Sequence, residues 1–173
     1  AAREGVRILL VGDEAVLSAE LAAQGGAPDG IRVIHAADVV GSSEDGAKAV
    51  RAKPESSLVV ACKLVADGTA QAVMSPGNTG ATLAAATLYI RRIPGVMRPG
   101  IAVVLPSAQG PVVLIDAGAN HETKSEYLQQ FAVMGRLLAR DVLRIPSPRV
   151  ALLSIGEEQS KGSELVQATY DAL

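Results

Sequence analysis

Three polar loops carry the residue types that could do chemistry in this chain. The first, Ser75-Pro76-Gly77-Asn78-Thr79-Gly80, lies between a short apolar run, Ala70 to Met74, and a small-residue helix expected over Ala81 to Ile90. A loop that turns from a strand into a helix leaves several backbone N–H groups unpaired at one point, where the helix dipole is positive. That arrangement suits a small anion such as phosphate. Gly77 and Gly80 allow close approach to the backbone. Ser75, Asn78 and Thr79 add side-chain donors. The same composition also serves a plain turn.

The second loop, Asp116-Ala117-Gly118-Ala119-Asn120, follows the apolar run Val112 to Ile115. The third, Ile155 to Gly162, contains Glu157, Glu158 and Lys161 and follows Val150 to Ser154. If their strands run parallel, all three loops gather on one sheet edge, where α/β proteins bind ligands. An antiparallel second strand would send its loop to the opposite edge. Asn78, Asn120 and Lys161 are then the candidate catalytic residues, Asn78 orienting an anion and Asn120 or Lys161 stabilising a developing oxyanion. Lys161 would equally serve as a solvated loop lysine. Arg98, before Pro99, is a candidate phosphate clamp or an ion-pair partner. Asp116 is expected to brace its loop through Asx-type hydrogen bonds. Glu157 and Glu158, which would repel a phosphate, are expected to position their loop by pairing with Lys161 or Arg149.

The elements that must hold these loops alternate along the chain. Strands are expected at Val6 to Val11, Ile31 to His35, Ala70 to Met74, Ile101 to Leu105, Pro111 to Ile115 and Arg149 to Ser154. Helices are expected at Glu14 to Gln24 behind an Asp13 cap, and over a short stretch opened by Ser42-x-x-Asp45. Two further helices follow, from Ser56 or Ser57 to about Ala66 and from a Thr123-x-x-Glu126 capping box to about Val142. A last helix begins at Gly162. The two runs around Gln109-Gly110 are spaced for a hairpin. The pattern predicts a single α/β domain over residues 1–173, with three α/β/α layers and a mostly parallel mixed sheet. The final helix, reaching Leu173, reads as part of a larger catalytic domain.

Composition narrows the function. Aromatic residues make up 2% of the 173 residues and the net charge is −2. Neither stacking platforms nor a basic stripe is present to hold nucleic acid. The one cysteine, Cys62, excludes an internal disulfide and reads as a small core residue of a helix. His35 and His121 lack partners at ligand spacing, so no metal is expected. Neither phosphate-binding glycine signature of nucleotide proteins occurs, and no cofactor is expected. Arg7 and Asp13 break any leader-like apolar stretch, and no apolar run approaches about 20 residues. A cytoplasmic protein is expected.

Ser75 to Ala81, Arg98-Pro99, Asp116 to Asn120, Leu128 to Gly135 and Pro148 to Glu158 occur in the order seen in bacterial phosphate acyltransferases of fatty acid and phospholipid synthesis. The chain resembles that family over nearly its whole length. Pro76 stands where the family usually has Ala, and His121 where it mostly has an apolar residue. The resemblance implies transfer of a fatty acyl group from acyl carrier protein to inorganic phosphate, giving acyl phosphate. It also implies a fold like that of isopropylmalate dehydrogenases and phosphate acetyltransferases, a homodimer, and peripheral contact with the inner face of the membrane. The competing readings are a short-chain phosphate acetyl- or butyryltransferase using coenzyme A thioesters, and a non-catalytic fragment serving as a dimerising or partner-binding module.

Overall fold

The structure is a computed structural model that describes residues 5–120, 122–156 and 162–173. The chain is an α/β protein that divides into two compact units, Ala1–Arg91 and Arg92–Leu173.

In the first unit, β1 (Ile8–Gly12) and β2 (Ile31–His35) pair in parallel, with Ile8 beside Ile31 and Gly12 beside His35. Between them runs α1 (Glu14–Ala23), capped by Asp13, whose carboxylate accepts from Val16 N–H at 2.9 Å. Next comes α2 (Gly46–Ala52). Its cap is Asp45, which accepts from Lys48 N–H at 3.1 Å, three residues beyond the serine that the sequence suggested. Ser56 precedes α3 (Ser57–Ala66), but its hydroxyl donates back to Lys53 O at 2.8 Å rather than capping the helix. Gly68, at φ +82, ends this stretch in the left-handed conformation that glycine adopts without penalty.

α4 (Thr79–Ala85) begins two residues earlier than expected and runs on through a π-helical turn, Ala86–Ile90. Val50, Val59, Cys62, Ala81 and Ala85 form the buried centre where α2, α3 and α4 meet. The alanines matter here because small side chains let helix backbones approach one another. A Cβ on Gly46 would lie 2.3 Å from Ala81 N and 2.5 Å from the carbonyl carbon of Gly80. The start of α2 therefore lies directly on the first turn of α4.

In the second unit, β3 (Ala102–Leu105) and β4 (Val112–Ile115) form the antiparallel hairpin that the spacing suggested, with Ala102 opposite Ile115. The amphipathic α5 (Ser125–Asp141) packs on β4: Phe131 is buried, and Gly135 lies against Ile115. The expected capping box is not formed. The Thr123 hydroxyl is buried without a hydrogen-bond partner, and the helix starts after Lys124. α6 (Glu164–Tyr170) is capped by Ser163, whose hydroxyl accepts from Val166 N–H at 3.3 Å.

Two expected strands are absent. Residues 70–74 and 150–154 have no β ladder among the described residues. Several of their apolar side chains remain open, with Met74 93% and Leu153 83% exposed, while Val73 packs against the core of the first unit. Apolar sequence alone does not make a strand; a neighbour must pair its N–H and C=O groups. The sheet expected as one is accordingly two separate pairs of strands.

Candidate functional site

The first loop is organised by Asn78. Its side-chain oxygen accepts from Ala81 N–H at 2.9 Å and caps α4. Its amide nitrogen donates to the carbonyl oxygens of Glu44 at 2.9 Å, Ser42 at 3.3 Å and Gly41 at 3.4 Å. Both amide hydrogens are thus committed to the 41–44 loop. Its main-chain carbonyl accepts from Thr82 Oγ1 at 3.0 Å and from Thr82 N–H at 2.9 Å. Ser75 Oγ accepts from Gly77 N–H at 3.2 Å. Asn78 therefore fixes the shape of the loop.

What remains open is backbone. The N–H groups of Asn78, Thr79 and Gly80 have no acceptor among the described residues. Thr79 and Gly80 are exposed and Asn78 half-buried, and their amides lie at the positive end of α4.

Two carboxylates beside this loop are neutralised locally. Glu44 accepts from Lys53 Nζ at 2.8 Å and from Gly41 N–H at 2.5 Å. The lysine bond first, then the amide bond, holds its pKa below the ordinary carboxylate range. Asp45 is held low chiefly by Lys48 N–H, and Lys48 Nζ lies 3.6 Å away. Lys53, 3.8 Å from Asp38 as well, has its pKa raised first by its bond to Glu44.

The second loop is braced within the second unit. Asp116 Oδ1 accepts from Ile101 N–H at 2.9 Å and Ala119 N–H at 3.0 Å. Its Oδ2 accepts from Asn120 N–H at 2.9 Å and Asn120 Nδ2 at 2.8 Å. Burial pushes the Asp116 carboxyl up, but the donors of Ile101, Asn120 and Ala119 outweigh it and leave the pKa below the ordinary range. Asn120 spends its other amide hydrogen on Pro99 O at 2.9 Å, so neither hydrogen is free for an oxyanion. Arg98 lies 5.7 Å over the Tyr127 ring and has no carboxylate within 4 Å among the described residues. Glu157, Glu158 and Lys161 lie outside the described residues, as does His121.

Two further features went unread in the sequence. A groove of about 990 Å³ with mixed polar and apolar walls runs between α5, residues 150–156 and α6, with Val133, Leu152 and Val166 but also Arg136, Gln167 and Asp171 on its walls. It escaped the sequence because it depends on which faces of the two helices meet. The other is His35 Nδ1, which accepts from Glu14 N–H at 3.3 Å beside a shallow hollow at the end of β2. Among the described residues no three His, Cys, Asp or Glu side chains are grouped to hold a metal ion.

Unpaired backbone N–H groups at a helix start, beside carboxylates already engaged by lysine and amide donors, are of the chemical type that can hold a small anion. Residues 1–173 match the family model described as fatty acid synthesis protein, and the chain belongs to that family. Over 170 residues, 98% of the chain, it is 50% identical to a phosphate acyltransferase of Desulforamulus reducens. It is 49% identical over 167 residues to one of Elusimicrobium minutum, and 47% identical over 170 residues to one of Leptospira biflexa. The alignments cover 50%, 49% and 50% of those proteins, so the chain spans about half the length of the curated relatives it matches.

Proposed function

We propose that this chain supplies the phosphate-binding part of an enzyme that moves a fatty acyl group from an acyl carrier protein thioester to inorganic phosphate. The product is acyl phosphate for phospholipid synthesis. The observation that carries the proposal is the set of open amides at Asn78, Thr79 and Gly80 on a loop whose shape Asn78 locks. The relatives' name, phosphate acyltransferase, supports the acyl-transfer part of this reading.

Phosphate at neutral pH is already an oxyanion, so the protein need not deprotonate it. It must strip water from the ion and aim one oxygen at the thioester carbonyl. Amides already pointing at the site do this without reorganising. As the phosphate oxygen bonds to carbon and the C–S bond breaks, the proton of hydrogen phosphate passes to the departing thiolate. No covalent enzyme intermediate is required. Asn78 and Asn120 are positioning residues in this scheme, because their amide hydrogens are already engaged. Ser75 and Gly77 shape the turn.

In this proposal both units belong to one catalytic α/β domain of the three-layer type, acting as a homodimer in the cytoplasm with peripheral membrane contact. No helix among the described residues is long and apolar enough to cross a membrane.

Thr79→Pro tests the proposal. Proline is tolerated at the first helical position, and Asn78, at ψ 113, already has the extended conformation that a following proline requires. The substitution removes one open amide and leaves the fold intact. Phosphate titration by NMR should show affinity lowered by about tenfold, the loss of one good hydrogen bond to an anion. Unchanged affinity in the variant, or no phosphate binding by the parent chain, would count against it.

A further inference from the structure

Between Gly68 and Ile115 the chain has no aspartate or glutamate, and its charged residues there are Arg91, Arg92 and Arg98, in a protein of net charge −2. Two of the three bracket an exposed turn in the second unit. Val96 N–H donates to Ile93 O at 3.0 Å, and Gly95 sits at φ +87 after Pro94, the signature of a type II turn. Ile93, at the tip, is 75% exposed and Met97 40%. Neither Arg92 nor Arg98 has a carboxylate within 4 Å among the described residues.

The turn is also held in place by α5. Gln130 donates to Gly95 O at 2.9 Å and accepts from Met97 N–H at 2.8 Å. The Arg92 guanidinium donates to Met97 O, and Arg98 lies over Tyr127. Fastening an exposed loop in one shape removes the ordering cost of binding. Arginine and methionine are also the side chains that interfaces favour.

We infer that the Arg92–Arg98 turn is the surface on which the acyl-carrying partner docks, its carboxylates meeting Arg92 and Arg98 and an apolar edge covering Ile93. The inference rests on the proposed acyl transfer and deepens it. Guanidinium groups give directional, paired hydrogen bonds to carboxylates in a fixed arrangement. A single apolar tip with one half-covered methionine buries too little area to hold a bilayer.

The test is fluorescence anisotropy of labelled, acylated carrier protein with the 173-residue chain, at low and physiological salt, for the parent, Ile93→Asp and Arg98→Glu. The parent should bind more weakly as salt rises. Each variant should raise Kd by about tenfold or more, and circular dichroism should show the fold unchanged. Phosphate affinity, read by NMR titration, should be unaffected by Ile93→Asp. Equal carrier binding by parent and variants overturns the inference, as does a parent that does not bind. Loss of phosphatidylglycerol vesicle binding alone, with carrier binding intact, overturns it in favour of a lipid surface. Failure of the parent chain to bind phosphate counts against the catalytic proposal, while carrier binding still decides the docking surface.

Discussion

The side-chain amide of Asn78 donates to the carbonyl oxygen of Glu44 at 2.9 Å, across 34 residues of sequence, while its oxygen caps α4 three residues ahead. One side chain thus joins the first turn of α4 to the loop that precedes α2. Asn78→Ala removes both functions and should destabilise the protein by about 2 kcal/mol or more in urea unfolding: about 1 from the cap, the rest from carbonyls left without a donor. Asn78→Asp separates the two, since a carboxylate caps well but cannot donate. If Asn78→Asp is as stable as the parent, the link to the 41–44 loop has no energetic weight.

Gly46→Ala should be more damaging, although alanine is the better helix former by about 1 kcal/mol. The added Cβ would sit 2.3 Å from Ala81 N, and its neighbours are backbone atoms that cannot turn aside. The α2 and α4 backbones must separate, a change expected to cost about 3 kcal/mol. A thermal melt within a degree or two of the parent would contradict this close packing.

The Asp116 carboxylate gives the second unit a pH dependence. Its folded pKa lies below the ordinary value: burial raises it, but the Ile101, Asn120 and Ala119 donors prevail. A depressed carboxylate contributes stability above its unfolded pKa of about 3.9 and loses it as pH falls through the folded value. Unfolding followed by circular dichroism should show stability level above about pH 5 and falling below about pH 4. Asp116→Asn should flatten that fall and lower the plateau, because the amide cannot accept all four bonds. An identical acid limb in the variant would assign the effect elsewhere.

Cys62 is fully buried against the α2–α3–α4 centre, and burial pushes its thiol pKa up. A protonated, covered thiol is a poor nucleophile. Labelling with a disulfide reagent should be slow in the native protein, rapid in denaturant, and follow the opening of this cluster as temperature rises. Immediate native labelling would mean that the α3 face is open.

The sequence foretold most clearly what is settled over a few residues. Asp13 caps α1 through a bond to Val16, Gly68 stops α3, and the spacing around Gln109-Gly110 makes the β3–β4 hairpin. The same local logic misled at Thr123, whose hydroxyl is buried away from any partner, and at Ser42, where Asp45 three residues later caps the helix. A capping motif states which bonds can form, and packing selects among them.

The sequence by itself determined the helices, their stops and the loop whose amides stand open, because capping and turn formation involve neighbours along the chain. It also carried the family, through motifs spread over its whole length. Tertiary structure decided what the loop residues do. The three carbonyls that engage Asn78 come from residues 41–44, and Pro99 claims a hydrogen of Asn120 from 21 residues away. It also decided that residues 70–74 and 150–154 are not strands here, because a ladder needs a second chain segment alongside. Residue type sets which hydrogen bonds a side chain can make; only the fold sets which of them are already taken.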